Sequence, residues 1–471
     1  MVMGDIITGC DVLVVGGGPG GYTAAIRASQ LGKDVILVEK YDLGGVCVYS
    51  GCIPSKALIH AANLIYEIKN PGNMGIKGSV EFDFKKLQMW KFEVVKKLRD
   101  GIGFLCKKYG VQVIKGEAYL ESSDKARVTL PDGETSTIKF GNAIIATGSR
   151  PADIPGFPYD SRFVINSNEA LSLMKVPDDM IIIGAGYISI ELGTMYAKLG
   201  TRVKIIQRSP RILTKFDPEL VEVVSQKMKK LGMEVYYNSK PEGMRMENKG
   251  VIVTISDKEG KKTELKADKI MVAVGVKPNS VNLGLENTKA ELDKKGFIKV
   301  DEKRRTTDPR IYAVGDVAGA PFLAHKAFRE GKVAAEVIAG LPSAFDNRAI
   351  PETVFSEPEI ATVGLDEESA RKKGFEIITG RFPFRASGSA LTLTGDGTEG
   401  FVKVVADKKS GEILGIHIVG ANASMLISEA SLAIENAAFL EDLAGTIHPH
   451  PTLPEALAEA AEAALGKVIH I

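Results

Sequence analysis

Cysteine and tryptophan are scarce in this chain, with four cysteines and one tryptophan among 471 residues. So few cysteines exclude a secreted scaffold held by disulfides and fit a reducing compartment. Net charge is also small, because 60 Lys and Arg offset 59 Asp and Glu, so nothing favours nucleic acid or an acidic membrane as a partner. No apolar run reaches membrane-spanning length, and Met1 to Cys10 lacks the basic region of a signal peptide. We therefore expect a cytoplasmic protein of several domains.

Two of the cysteines, Cys47 and Cys52, lie in one glycine-rich stretch before a helix-prone run, Ala57 to Ile68. We expect Ser55 or a neighbour to cap that helix. A thiol near a helix N-terminus ionises more readily, and Lys56 adds a cation nearby. The stretch predicts a redox-active dithiol–disulfide couple. A structural disulfide, a metal pair and two buried core thiols stay open as alternatives, although zinc needs about four ligands; we predict no metal.

A dinucleotide-binding pattern opens the chain. A strand-like run, Asp11 to Val15, meets a turn with glycines at 16, 18 and 21, and a helix and a second strand ending at Glu39 follow. The glycines let the backbone approach a pyrophosphate at a helix N-terminus, and the acid suits ribose hydroxyls.

The same pattern recurs later in the chain. Gly184 and Gly186 take the first two glycine positions, Ser189 takes the third, and Gln207, followed by Arg208, stands where the first copy has its acid. The repeat predicts an internal duplication with two nucleotide sites. A degenerate repeat kept only for packing is the alternative.

Three further strand-like runs end in turns, at Thr147-Gly148, at Gly275 and at Gly315-Asp316. Each could be a buried strand that meets a glycine turn. Asp316 could instead cap a helix expected over Ala324 to Ile338.

The character of the sequence changes from residue 346 onward. Strand-like runs cover Phe401 to Ala406 and Ile413 to Val419, and helix-like runs cover Ser424 to Ala438 and Leu453 to Leu465. Between the two helices lies a His-Pro segment that contains His450 and leads to Glu455.

These motifs, in this order from Asp11 to about Ala461, resemble the flavoprotein pyridine nucleotide-disulfide reductases, and the C-terminal half is most similar to the dihydrolipoamide dehydrogenases of that family. Val46 and Tyr49 depart from it, since the family usually has Thr and Asn there. The resemblance implies an α/β fold with two Rossmann-like, doubly wound nucleotide-binding domains and a C-terminal α+β dimerisation domain. The implied segments are FAD-binding at 1–150 and 276–345, NAD(P)-binding at 151–275 and interface at 346–471.

The resemblance also implies the binding residues. Those for FAD are Gly16, Gly18, Gly21, Glu39, Lys56, Thr147, Gly148, Glu191 and Asp316, with Lys56 paired to Glu191. Those for NAD(P) are Gly184, Gly186, Ser189, Gln207, Arg208 and Gly275.

The implied reaction passes two electrons between a dihydrolipoyl dithiol and a nicotinamide through FAD and a Cys47–Cys52 disulfide. Cys47 would exchange with substrate sulfur, Cys52 would face the flavin, His450 would take the substrate proton, and Glu455 would orient His450. The resemblance further implies a homodimer in which the histidine serves the partner chain, and a cis bond before Pro451.

Free dihydrolipoamide or a lipoyl-bearing 2-oxoacid dehydrogenase complex is the expected partner. Because Gln207 would not repel a 2′-phosphate and Arg208 could pair with it, we expect NADP(H) in preference to NAD(H). A glutathione-reductase-like, NADPH-dependent disulfide reductase is one alternative, and a flavin-bound subunit with a defective nicotinamide site is the other.

Overall fold

A computed structural model describes residues 7–72, 74–247, 250–394 and 398–471. The α-helices of these residues are α1 (Pro19–Gln30), α2 (Gly45–Tyr49), α3 (Cys52–Lys69), α4 (Phe84–Lys108), α5 (Ser167–Ala170), α6 (Tyr187–Lys198), α7 (Pro218–Lys230), α8 (Ala324–Ile338), α9 (Glu367–Lys372), α10 (Gly388–Thr394), α11 (Ala423–Glu435), α12 (Leu440–Ala444) and α13 (Glu455–Ala464). Single 3₁₀ turns cover Leu285–Asn287, Gly315–Ala318 and Phe384–Ala386.

The strands of the same residues form several sheets. They are β1 (Ile7–Val15), β2 (Val35–Glu39), β3 (Gln112–Lys115), β4 (Glu117–Ser122), β5 (Lys125–Thr129), β6 (Thr135–Ile145), β7 (Ser149–Pro151), β8 (Val164–Ile165), β9 (Asp179–Ile183), β10 (Arg202–Ile206), β11 (Glu234–Tyr236), β12 (Lys240–Glu247), β13 (Gly250–Ser256), β14 (Lys262–Ala267), β15 (Lys269–Val272), β16 (Val276–Pro278), β17 (Ile311–Ala313), β18 (Glu352–Val354), β19 (Glu359–Gly364), β20 (Ile377–Pro383), β21 (Phe401–Asp407) and β22 (Ile413–Gly420).

The chain forms two compact units, taken over its described residues. The first comprises Met1–Ala57, Gln88–Ala152 and Gly275–Asp346, and the second comprises Leu58–Leu87, Asp153–Val274 and Asn347–Ile471. The segments predicted for NAD(P) binding and for the interface fall in the second unit together. The four-segment division made from the sequence stays a prediction.

The first unit is built on a sheet whose parallel strands run in the order β3-β2-β1-β6-β17. Val12 to Val15 are all buried, as expected for a parallel strand covered on both faces. β4 and β5 extend the other half of β6 as an antiparallel meander. Helices α1 and α8 pack closely, since a Cβ on Gly331 would lie 2.4 Å from the carbonyl oxygen of Gly20.

The second unit contains two principal sheets. One is fully parallel, in the order β11-β10-β9-β15-β8, and repeats the strand order around β1. The other is antiparallel, in the order β18-β19-β22-β21-β20, and α11 and α13 pack on it around a core of small and aliphatic residues. The predicted mixed α/β architecture is therefore confirmed.

A buried cation ties helix α7 to the antiparallel sheet. Lys403 lies on β21 with its side chain 4% exposed, and its Nζ is 2.5 Å from Asp217, 3.0 Å from Glu219 and 3.1 Å from Glu367. Asp217 also caps α7 by accepting the N–H of Glu219 at 2.8 Å. His417 pairs with Lys403 across the two strands, and burial lowers the pKa of its ring. Three carboxylates around one ammonium offset the cost of burying it.

Candidate active site

The strands around β1 bring most of the predicted flavin residues to one edge of the sheet. In the parallel register Val15 lies beside Val38 and Ile145, and Ile145 lies beside Ala313. The next residues of these strands therefore meet at the carboxyl edge, where ligands bind in open α/β sheets. Brought together in this way are Gly16, Glu39, Thr147, Gly148 and Asp316.

The glycine turn after β1 leaves room for a ligand only because it lacks side chains. Gly16 has φ +102°, and a Cβ there would lie 2.5 Å from the carbonyl oxygen of Ala146. A Cβ on Gly21 would lie 1.8 Å from the carbonyl oxygen of Gly16. Gly18, the N-cap of α1, has no side chain to cover the first N–H groups. An anion fits beside these open N–H groups at the helix N-terminus. The residues of the turn therefore fit the pyrophosphate of FAD.

The acid that ends β2 is held in place by this turn. The Oε2 atom of Glu39 accepts the N–H of Gly17 at 2.5 Å, and its Oε1 atom accepts the N–H of Tyr41 at 2.7 Å. A carboxylate fixed by two backbone donors keeps further lone pairs for ribose hydroxyls. Glu39 is therefore suited to its predicted role.

Asp316 lies in the 3₁₀ turn after β17 and does not cap α8, whose N-cap is Leu323. The helix-cap alternative is thus wrong. The carboxylate accepts a hydrogen bond from the Ser149 hydroxyl at 2.6 Å. Burial raises the pKa of Asp316, while Ser149 and the nearby Lys326 cation oppose that shift. A partly buried acceptor at the carboxyl edge fits a cofactor contact better than a structural cap.

The cysteine stretch folds differently from our expectation in one respect. Cys47 lies on its own short helix, α2, and Cys52 is the first residue of α3, which begins before Ala57. Ser55 does not accept a capping hydrogen bond, because it lies within the first turn and donates its hydroxyl to the carbonyl oxygen of Cys52 at 3.0 Å. The placement of Cys52 at a helix N-terminus is as predicted.

A hydrogen bond joins the side chains of Cys47 and Cys52, so the two thiols of the predicted couple lie side by side. The hydrogen bond to Cys52, burial and the charge of an ionised Cys52 all raise the pKa of Cys47, and Asp316 adds to the rise while Lys56 opposes it. The easier ionisation that we predicted therefore does not apply to Cys47. Cys52 lies at the N-terminus of α3, where the helix dipole favours a thiolate.

His450 and Glu455 form a hydrogen-bonded pair at the start of α13. The Nδ1 atom of His450 is 2.8 Å from Glu455 Oε1, and Glu455 Oε2 accepts the N–H of Thr452 at 2.6 Å. Burial acts to raise the pKa of Glu455, but the hydrogen bonds from Thr452 and His450 outweigh it and hold the pKa below its usual value. An ionised acceptor keeps the proton on Nδ1, so Nε2 is left as the basic atom.

The His450 side chain is 81% exposed on the single chain, and the His450–Pro451 bond is cis, as predicted. The neighbouring His448 is different, because it is nearly buried and its Nε2 pairs with Glu429 at 2.9 Å. The His448 ring is thus nearly buried, whereas the His450 ring is exposed at the surface.

The second nucleotide turn repeats the geometry of the first. Gly184 has φ +101°, and a Cβ there would lie 2.5 Å from the carbonyl oxygen of Ala273. Gly186 is the N-cap of α6, and the hydroxyl of Ser189 is buried without a hydrogen-bond partner in the described part of the chain. This turn leaves room for a phosphate in the same way as the first turn.

The end of β10 carries amides and cations in place of an acid. Gln207 donates from Nε2 to the Ser209 hydroxyl at 3.0 Å and to the Arg211 carbonyl oxygen at 3.1 Å. These bonds keep its amide within the loop. Arg208 is exposed.

Two predicted relations are not tested by this geometry. Lys56 and Gly275 belong to the first unit, whereas Glu191 and the second nucleotide turn belong to the second. Glu191 accepts the N–H of Phe355 at 3.0 Å within its own unit. The pairing of Lys56 with Glu191 and the role of Gly275 stay predictions.

The sequence reasoning missed the groups that hold the predicted residues in place. These are Ser149 on Asp316, Thr452 on Glu455, and Glu330, which accepts the N–H of Gly315 at 2.7 Å. A signal existed for Glu330, since an acid on the apolar face of a helix is rarely buried unless it is paired.

Comparison with known proteins decides the family. The profile of the pyridine nucleotide-disulphide oxidoreductases matches residues 10–331, and the profile of the dimerisation domain of these oxidoreductases matches residues 350–461. The chain belongs to this family.

Similar curated proteins are dihydrolipoyl dehydrogenases. The one from Geobacillus stearothermophilus is 48% identical and the one from Halobacterium salinarum 47% identical, each over 100% of this chain and 99% of the relative. Among solved structures, LpdA from Mycobacterium tuberculosis is similar with a TM-score of 0.89 at 27% identity, covering 96% of this chain and 99% of that one. The predicted class, a dihydrolipoyl dehydrogenase-like flavoenzyme that uses FAD and a nicotinamide coenzyme, is confirmed.

The matched dimerisation domain supports the predicted homodimer. None of the helices in residues 7–72, 74–247, 250–394 and 398–471 is long and apolar enough to cross a membrane.

Proposed function

We propose that the chain oxidises a dihydrolipoyl dithiol and reduces a nicotinamide coenzyme, with Cys47 and Cys52 as the enzyme's dithiol–disulfide couple. The observation that carries this proposal is the hydrogen-bonded pair itself, in which Cys52 lies at a helix N-terminus that favours a thiolate and the pKa of Cys47 is raised. The two thiols therefore have different roles. Cys47 exchanges with substrate sulfur, and Cys52 passes the electrons to FAD.

The sulfur chemistry balances in two exchanges. A substrate thiolate attacks the Cys47 sulfur of the enzyme disulfide, which forms a mixed disulfide and releases Cys52 as a thiolate. The second substrate thiol then attacks the substrate sulfur of the mixed disulfide, which closes the lipoyl ring and releases Cys47 as a thiol. FAD, held by the glycine turn, Glu39 and Asp316, would supply a carrier that takes two electrons from the dithiol and passes them to the coenzyme.

His450 takes the substrate proton, because a thiolate and not a thiol attacks a disulfide. Its Nε2 atom is the free base, since Glu455 engages Nδ1. The ring is 81% exposed on one chain and lies within the dimerisation-domain match. We infer that it acts on the disulfide of the partner chain, so that each active site needs two copies.

For the coenzyme we propose NADP(H) in preference to NAD(H). An acid at the end of β10 would repel a 2′-phosphate, and Gln207 does not. The Gln207 amide is turned into its loop, and the neighbouring Arg208 guanidinium is exposed and suited to bidentate phosphate binding.

The proposed electron donor is free dihydrolipoamide or the lipoyl group of a 2-oxoacid dehydrogenase complex. The four cysteines fit a cytoplasmic enzyme.

One experiment tests the reaction. Steady-state turnover with dihydrolipoamide, crossed with NAD and NADP and compared with oxidised glutathione as a substrate, should favour dihydrolipoamide. The Cys52→Ser variant should lose any long-wavelength absorbance that appears on dithiol reduction. Preference for glutathione, or an unchanged band in Cys52→Ser, would contradict the proposal.

A second experiment tests the coenzyme. Binding of 2′-phospho-ADP-ribose and of ADP-ribose to the holoenzyme should favour the phosphorylated ligand, and Arg208→Glu should reverse the order. The matched control is Arg211→Gln. In the wild type the Arg211 guanidinium is engaged locally, since it donates to the Thr214 carbonyl oxygen at 2.9 Å. Equal binding of both ligands to wild type and to Arg208→Glu would show that Arg208 does not read the 2′-position.

A further inference from the structure

We propose that Glu330 is a positioning residue for the flavin, and that it acts through the Gly315–Asp316 turn together with two cations bound to it. The inference rests on the proposed function, since it takes Asp316 as an FAD contact. Glu330 and the two cations, Arg304 and Lys326, lie outside the motifs that carry the resemblance to the family.

Glu330 lies on α8 and is completely buried. Its Oε2 atom accepts the N–H of Gly315 at 2.7 Å, while its Oε1 atom is 2.8 Å from Arg304 Nη1 and 3.1 Å from Lys326 Nζ. Gly315 has φ +74°, in the left-handed region. The backbone just before Asp316 is thus fixed by a side chain that comes from another element.

The ions around Glu330 also act on Asp316. Two cations share one carboxylate, so the group keeps an excess positive charge, which an ionised Asp316 balances. Lys326 lowers the pKa of Asp316 against the larger effect of burial. The groups that face the Asp316 carboxylate are the Ser149 hydroxyl, the Lys326 ammonium and, electrostatically, the Cys47 thiol.

Packing alone does not explain this arrangement. Apolar side chains of similar volume would hold α8 against the sheet without taking three charges out of water, often at no loss of stability. The ions add two things that apolar groups cannot supply. One is a fixed acceptor for the Gly315 N–H, and the other is an electric field that favours the charged form of Asp316, the form that accepts hydrogen bonds from flavin hydroxyls.

The test measures the release of FAD from the purified holoenzyme after dilution, through the fluorescence of the free flavin, across a series of pH values. The variants are Glu330→Gln and Lys326→Met. The matched control is Glu336→Gln on the same helix, whose carboxylate pairs with Arg27 at 2.9 Å and accepts the Ser343 hydroxyl at 2.7 Å.

Glu330→Gln should release FAD roughly tenfold faster or more at neutral pH. The amide is uncharged and has one oxygen, so it cannot accept from the Gly315 N–H and from both cations at once, and the charged acceptor at the turn is lost. As the pH falls, protonation of Asp316 should speed release in every protein. Lys326→Met removes a cation and should move the midpoint of this acid release to higher pH, whereas Glu330→Gln removes an anion and should move it to lower pH. Glu336→Gln should match wild type.

If Glu330 and Lys326 only stabilised the fold, their two variants would not move the pH midpoint of FAD release in opposite directions. Equal release from Glu330→Gln and Glu336→Gln at neutral pH, or midpoints that move in the same direction, would overturn the inference. If Glu330→Gln does not fold, the midpoint of Lys326→Met against Glu336→Gln decides. Purification of wild type without FAD would instead contradict the proposed function.

Discussion

Replacing Glu455 by Gln tests how far the reaction depends on one carboxylate. The side chain keeps its shape, and its oxygen can still accept the Thr452 N–H, at 2.6 Å in the wild type. The 2.8 Å contact to His450 Nδ1 changes, because an amide has no charge and can donate in place of accepting. If it donates, the ring proton moves to Nε2 and the base is lost.

The magnitude follows from that contact. A hydrogen bond to a charged group is worth about 1.5–3 kcal/mol, which corresponds to a rate loss of about 10- to 150-fold if the bond is strongest in the transition state. A complete change of tautomer would lower the rate further. When the orienting acid of a catalytic triad becomes an amide, the rate falls about 10⁴-fold. Since the pKa of Glu455 lies below its usual value, the carboxylate is ionised throughout the neutral range and the loss should be constant there.

The assay separates the two halves of the reaction. Single-turnover reduction of the enzyme by dihydrolipoamide should slow in Glu455→Gln, whereas oxidation of the reduced coenzyme by an artificial electron acceptor, which bypasses the dithiol, should not. Glu459→Gln is the control, because Glu459 lies on the same helix as Glu455 and pairs with His470, which lies beyond the end of that helix. If Glu455→Gln and Glu459→Gln reduce at the same rate, Glu455 does not orient the base.

Two further predictions follow from the same structure. A His450→Gln chain and a Cys47→Ser chain, each inactive alone, should regain activity as verified heterodimers, because one of the two shared sites is then intact; no recovery would place His450 on its own chain's disulfide. Burial lowers the pKa of His417 below its ordinary 6.5, so the unfolded chain binds a proton that the folded one does not, and stability should fall as the pH drops below about 6.5. His417→Gln should show a weaker decline of melting temperature with acid than wild type, and parallel curves would contradict this.

The local patterns of the sequence predicted the elements that carry the site. The run from Asp11 to Glu39 folds as strand, glycine turn, helix and strand, with ends within a few residues of those expected. Apolar alternation and glycine spacing are properties of neighbouring residues, so they can be read from the chain directly. The pairing of His450 with Glu455 was instead implied by the family resemblance, and it joins residues that are only five positions apart.

Contacts between distant residues could not be read in this way. The carboxylate of Asp316 meets Ser149, and Lys403 meets Asp217, only after the sheets have formed. The helix of Cys47 was missed because Gly44 and Gly45 both adopt positive φ, which no propensity scale predicts. Contacts such as that between Lys403 and Asp217 depend on how the strands and helices pack in the folded chain, which a single sequence does not show.

The interleaving of the two compact units has a consequence for synthesis on the ribosome. The first unit needs residues up to Asp346, and the second joins Leu58–Leu87 to the segment from Asn347 to Ile471. The apolar cluster that contains Leu58 and Ile65 of α3 also contains Val354 and Val419, so it stays incomplete until these late strands have been made. At a synthesis rate of about 5–20 residues per second, this interval lasts tens of seconds, long enough for chaperones to bind.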